Sequence, residues 1–295
     1  MNSTMPDGSA AGAAASDAYT YSLYHYDPSI PGAIVVAVIF LLTTVFHFWQ
    51  LIKTRCWFMI PLAVGGILEV IGYAGRAKSG DESPNWTLGP YIIQAILLLV
   101  APALFAATIY MALGRVIQRV DGESRSFVPF RWLTKIFVTG DVLSFFLQAG
   151  GGGYQAVGTL EALENGSNVI IAGLFVQLFC FGCFIVVSIA FHMAIKKQPT
   201  RQSSSDIPWQ KHLKALYVGS ALIMVRSIFR VVEYLQGFSG YLLSHEPYLY
   251  VFDALLMICV MIWFNWIHPG EILSPVIGKR WNGDIEEDCS STQMS

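Results

Sequence analysis

The chain has 295 residues, of which 54% are hydrophobic and only 13% charged, with a formal net charge of -2. Its mean hydropathy of +0.53 implies more apolar surface than a soluble domain can bury, so lipid is expected to be its solvent. The near balance of charge gives no basic excess of the kind nucleic acid attracts, and no nucleic-acid partner is expected.

Residues 1 to 29 are small and polar without a basic residue, so they lack the charged start of a cleaved signal peptide. They are expected to form a disordered extracellular tail ending at Tyr24, His25 and Tyr26, whose rings suit the headgroup level. Seven apolar runs follow: Pro31 to Leu51, Trp57 to Gly75, Leu88 to Leu113, Leu133 to Tyr154, Val169 to Ala194, Leu213 to Leu235 and Tyr248 to Ile267. Each approaches the ~20 residues a spanning helix needs. The expected architecture is an all-α membrane protein, a seven-transmembrane-helix bundle over residues 30–270, with a cytoplasmic tail at 271–295 that is acidic, then Ser-rich, from Ile285 to Ser295.

The first run ends with His47, Trp49 and Lys53, read as interfacial residues. The second carries Gly65, Gly66, Gly72 and Gly75, which let another backbone come close, together with Glu69 and then Arg76. Pro61 and Pro102 lie inside runs, where kinks are expected and neighbouring groups must satisfy the freed carbonyls. The fourth run is diluted by Asp141, Gln148 and Gly150 to Gly153. No Lys-Ser or Lys-Thr follows those glycines, so they are not a phosphate loop, and ATP is not indicated as an energy source. A flexible or closely packed helix end is the expected role. Cys180 and Cys183 in the fifth run are read as packing residues, and no disulfide is expected.

Lys53, Arg55, Arg115, Arg119, Arg125, Arg131, Lys135, Lys196, Lys197, Arg201, Lys211, Lys214, Lys279 and Arg280 all flank the same ends of the runs. The positive-inside rule makes that side cytoplasmic. The N-x-S/T sequons at Asn2, Asn85 and Asn165 fall on the opposite side, where glycosylation occurs. The N-terminus is therefore expected outside and the C-terminus in the cytoplasm.

Within the sixth run, Arg226, Arg230 and Glu233 stand at i, i+4 and i+7, within about 60° of one another around a helix. Such charges face a bundle interior rather than lipid. The two arginines repel each other, so carboxylates are expected from other helices. By depth along their runs, Glu69, Gln94, Gln148, Arg230, Glu233 and Asp253 lie from mid-membrane outward, and Asp141 lies deeper. The expectation is a polar cavity opening outward, lined by the second, third, fourth, sixth and seventh helices. The competing reading is that the charges only pair to hold the bundle in register. A surplus of acids over arginines suggests coupling to protons.

Glu69 with Gly72-Tyr73-x-x-Arg76, Tyr91-x-x-Gln94, Ala101-Pro102, Gly114-Arg115, Asp141, Gln148, Arg226-x-x-x-Arg230-x-x-Glu233, Asp253 and His268-Pro269-Gly270 together resemble the RTA-like lipid-translocating exporters of fungi. The resemblance spans Tyr24 to Gly270. It implies a seven-helix plasma-membrane protein tied to export or flipping of sphingoid bases, or to tolerance of lipophilic toxins, with membrane lipids and an amphipathic substrate as its partners. Candidate substrate-site residues are Glu69, Gln94, Asp141, Arg226, Arg230, Glu233 and Asp253, with no cofactor or metal.

Two other functions fit parts of the sequence. A seven-helix receptor shares the topology, although the last run has no lysine for a retinal Schiff base. A metal-dependent intramembrane lipid hydrolase would need His47, His192, His268 and Asp141 to converge, and no His-x-x-x-His pair is present.

Overall fold

The computed structural model describes residues 26–126, 128–155, 159–203, 209–237 and 240–269. Residues 1–25 with Asn2, and the C-terminal tail with Cys289, therefore lie outside the described residues. The described chain is helical without a strand: α1 (Ile30–Thr54), α2 (Ile60–Asp81), α3 (Leu88–Arg119), α4 (Phe130–Gln155), α5 (Leu160–Lys197), α6 (Trp209–Leu235) and α7 (Glu246–Trp266). All but α4 are long and apolar enough to cross a bilayer. Helix α4 has 26 residues, and Asp141, Gln148 and the glycine run dilute its apolar character.

Local chemistry sets the helix ends. The Ser29 side chain accepts from the Gly32 N–H at 3.3 Å, and Pro31 occupies the first turn of α1, where its missing N–H costs nothing. Arg55, at φ 53°, ends α1 in the left-handed region. Pro61 falls in the first turn of α2 rather than inside a helix, because a 3-10 turn at Trp57–Met59 precedes it, so the kink expected there has no cause. The Thr159 hydroxyl caps α5 nine residues ahead of the expected start, accepting from the Ala162 N–H at 3.1 Å. The polar stretch Glu161 to Asn168 hides this start from a hydropathy reading, and Asn165 lies exposed on a helix rather than in a loop. Asn85 is exposed on the α2–α3 connection.

The helices form a ring. Each packs on its neighbour from α1 through α7, α7 closes onto α1, and α3 meets α6 across the middle. Phe105, Ile109, Tyr110, Leu213, Met261 and Phe264 fill the centre and are almost wholly buried. Close approach uses glycine: a Cβ at Gly72 would overlap the Leu98 side chain of α3, and one at Gly219 would meet the Phe264 ring at 2.9 Å. The outside is apolar, with Leu42 65% and Phe179 72% exposed, as a lipid-facing surface requires. Cys56, Cys180, Cys183 and Cys259 are free thiols.

Candidate functional site

The polar side chains gather at the end of the bundle where α2 finishes, α3 begins, α6 finishes and α7 begins. Arg226, 3% exposed, forms an ion pair through Nε with Asp253 Oδ1 of α7. Its Nη2 donates to the Leu98 carbonyl at 2.9 Å. That carbonyl is free for a reason written in the sequence: Leu98 is four residues before Pro102, which has no N–H to offer it. The proline inside α3 thus creates an acceptor that the arginine of α6 fills.

Asp253 sits in a wide turn. Tyr250–Ala254 is a π-helical segment within α7, flanked by a short α turn at Glu246–Leu249 and the regular helix Leu255–Trp266. Such bulges alter the angular progression of side chains and cluster at functional sites. Here the segment carries Asp253 to Arg226 and stacks Phe252 on Phe229 with ring centres 4.9 Å apart.

Arg230 pairs with Glu233 of its own helix, Nη1 donating to Oε2 at 2.6 Å. The expectation that every carboxylate would come from another helix therefore holds for Arg226 and not for Arg230, because residues at i and i+3 already adjoin on a helix surface. Glu69 is 2% exposed on α2, and the nearby charges that bear on it are Asp253 and Arg226.

A third ion pair escaped the sequence reading. Arg76, 1% exposed, donates through Nη2 to Glu246 Oε1 at 2.7 Å and to the Tyr26 hydroxyl at 2.8 Å, and through Nε to the Tyr250 hydroxyl at 3.3 Å. Glu246 also accepts from the Ser29 N–H at 2.9 Å, joining α1, α2 and α7 in one knot. Tyr26 is part of this knot rather than a headgroup anchor. Burial pushes its hydroxyl above the ordinary value and outweighs the pull of Arg76, so it remains a neutral phenol. The available signal was Arg76 itself, a lone cation at the outer end of an apolar run that needs an acid at the same level. The apolar run begins only at Tyr248, which leaves Glu246 outside it in the sequence.

These groups enclose a cavity of about 130 Å³ bordered by Tyr26, Arg76, Tyr91, Gln94, Arg226, Arg230, Glu233, Tyr234 and Asp253. Its walls come from α2, α3, α6 and α7. Helix α4 contributes instead to a second cavity of about 180 Å³ on the other side of Arg230, bordered by Ile92, Ile96, Gln148, Gly152, Gly153 and Ile170. Gln148 donates to Ser144 Oγ at 2.6 Å and to Gln177 Oε1 at 3.2 Å.

Asp141 is not brought to this cluster. It lies between α3, α4 and α5, where the Tyr110 hydroxyl donates to Oδ2 at 3.0 Å. Phe137 and Phe184 pack on Tyr110 with ring centres 5.5 and 4.5 Å away. His47 and His268 come together, with ring centres 5.7 Å apart, but His192 is engaged elsewhere. His47 Nδ1 lies 2.9 Å from Asn265 Oδ1, and His192 Nδ1 lies 3.2 Å from the Tyr217 hydroxyl. Among the described residues no three His, Cys, Asp or Glu side chains gather as metal ligands.

Comparison with known proteins fits this arrangement. Residues 62–275 match the family described as RTA1 like protein. The chain is 40% identical over 280 residues to Protoporphyrin uptake protein 1 of Saccharomyces cerevisiae, covering 83% of this chain and 91% of that protein. It is 38% identical over 284 residues to Protein RTM1 of the same organism, covering 83% and 90%. It is 28% identical over 278 residues to the Sphingoid long-chain base transporter RSB1, covering 82% of this chain and 72% of that protein. No solved structure matches the chain.

Proposed function

The chain belongs to the RTA1-like protein family, and on that footing we propose that it is a multi-pass transporter that moves amphipathic lipids or lipophilic compounds across the plasma membrane. The observation that carries this reading is the charged cavity. Three arginine–carboxylate pairs border or close a hollow within a bundle whose outer surface is lipid-like. A bundle that needed these charges only for register would gain nothing from a space beside them, whereas a polar head group entering from lipid needs one. The printed names of two relatives, a protoporphyrin uptake protein and a sphingoid base transporter, are consistent with cargo that is greasy and carries a polar group.

The reading includes α4 as a seventh span. The helix packs between α3 and α5, and Trp132, Ile136, Leu143 and Phe146 on its free side are 51–66% exposed, a face suited to lipid. Seven spans place the termini on opposite sides, and the Lys/Arg distribution supports a cytoplasmic C-terminus. The cavity then opens toward the outer leaflet.

The test is export in cells. Arg230→Ala is expected to reduce efflux of a fluorescent long-chain amine several-fold while surface expression changes little. Equal loss of surface protein and efflux would assign Arg230 to structure alone.

A further inference from the structure

We infer that the second cavity is the slot for the hydrocarbon chain of a single-chain amphiphile whose head group occupies the charged cavity, and that Gly152 and Gly153 hold it open. This rests on the function proposed above and adds where the tail goes. The two hollows are neighbours: Tyr91, Ala95, Leu99, Arg230 and Tyr234 border both. Arg230 therefore stands where a head group would give way to its chain. Beyond it the wall is formed largely by Ile92, Ile96, Ala149 and Ile170 with the two glycines. The side-chain amide nitrogens there are engaged elsewhere, since Gln148 donates to Ser144 and Gln177, and Gln155 donates to the Leu163 carbonyl at 3.3 Å, which leaves Gln148 Oε1 as the buried polar atom of that wall without a hydrogen bond among the described residues.

The glycine run separates into two roles. Gly151 is required by packing, because a Cβ there would lie 2.6 Å from the Gly166 carbonyl oxygen of α5. At Gly152 and Gly153 a Cβ would meet nothing within 4 Å. Glycine inside a helix costs about 0.5–1 kcal/mol relative to alanine, and helix packing gives no return for that cost at these two positions. What they leave is space, and both border the cavity. At about 180 Å³ it suits a stretch of one chain rather than two.

The experiment uses the full chain in phosphatidylcholine nanodiscs with two photoreactive amino-alcohols, one bearing a diazirine at the far end of an octadecyl chain and one bearing it beside the head. Labelled peptides are mapped by mass spectrometry, with and without excess unlabelled octadecyl amino-alcohol. The expected result is competed tail labelling within residues 148–155 and at Ile170, and competed head labelling at Tyr91 or Tyr234. Gly152→Leu and Gly153→Leu, which add a side chain to open space, are expected to lower tail labelling about tenfold, the effect of overfilling a packed slot. Gly150→Leu, which also meets nothing within 4 Å but borders neither cavity, is expected to leave it unchanged. Competed head labelling with tail labels spread over the lipid-facing helices would overturn the slot and leave the transporter reading standing. Absence of competed labelling by either probe would overturn both.

Discussion

Arg226 shows how far one residue can be understood from the sequence and where a second helix is needed. Its spacing from Arg230 and Glu233 places all three on one inward face, and the structure has them there. Its partners could not be read in the same way. Asp253 depends on how α7 winds, and the Leu98 carbonyl depends on Pro102 lying opposite α6. Two predictions belong at this scale. Asp253→Ala strands a buried guanidinium and is expected to cost about 3–5 kcal/mol, whereas Arg226→Leu combined with Asp253→Leu restores most of it. Thermal unfolding in detergent separates the two outcomes, and equal losses would show that the pair is not coupled. Pro102→Ala returns an N–H to the Leu98 carbonyl, so its effect and that of Arg226→Leu are expected to be non-additive by about 1 kcal/mol in a double-mutant cycle. Glu69 has no arginine of its own in the cluster. If transport is coupled to protons, Glu69→Gln is expected to remove the dependence of efflux on a pH gradient without loss of folded protein.

At the scale of elements, apolar run length located the long helices among the described residues, six of them long and apolar enough to cross a membrane, but not all of their ends. Helix α5 begins nine residues earlier than its apolar run because Thr159 caps the polar stretch that precedes it, and capping is a local hydrogen bond that hydropathy cannot register. The π segment in α7 is equally silent, since no residue type marks it, although it decides where Asp253 points. Small residues on α2 were legible as a packing stripe, and their partners were not. Gly72→Leu is the sharp test of that stripe: it drives a side chain into Leu98 and is expected to destabilise the protein by about 1–3 kcal/mol, seen as a lower melting temperature. A Gly72→Leu variant as stable as the parent would mean that α2 and α3 can separate freely at this level. Depth grouped Arg230, Glu233 and Asp253, which border the charged cavity, and set Asp141 apart, but it grouped with them Glu69, which does not border that cavity, and Gln148, which borders the second one. The Arg76–Glu246 knot was missed because Glu246 stands just outside the apolar run it belongs to.

For the molecule as a whole, the ring of helices makes one end polar and hollow while the opposite end and centre are packed with aromatic and aliphatic side chains. That asymmetry matters for function only if the hollow end faces the outer leaflet. Asn85 lies exposed at that end, so Asn85→Gln is expected to remove a glycan, seen as a gain in gel mobility in the native host. The central claim is that the charged cavity passes amphiphiles through the bilayer. Its most direct test is reconstitution of the purified chain into phosphatidylcholine vesicles, following transbilayer movement of a fluorescent single-chain amine by quenching from outside. The account predicts faster movement with the wild-type chain than in empty vesicles, and a several-fold slower rate with Arg230→Ala at equal reconstitution. Identical rates in empty, wild-type and Arg230→Ala vesicles would contradict it.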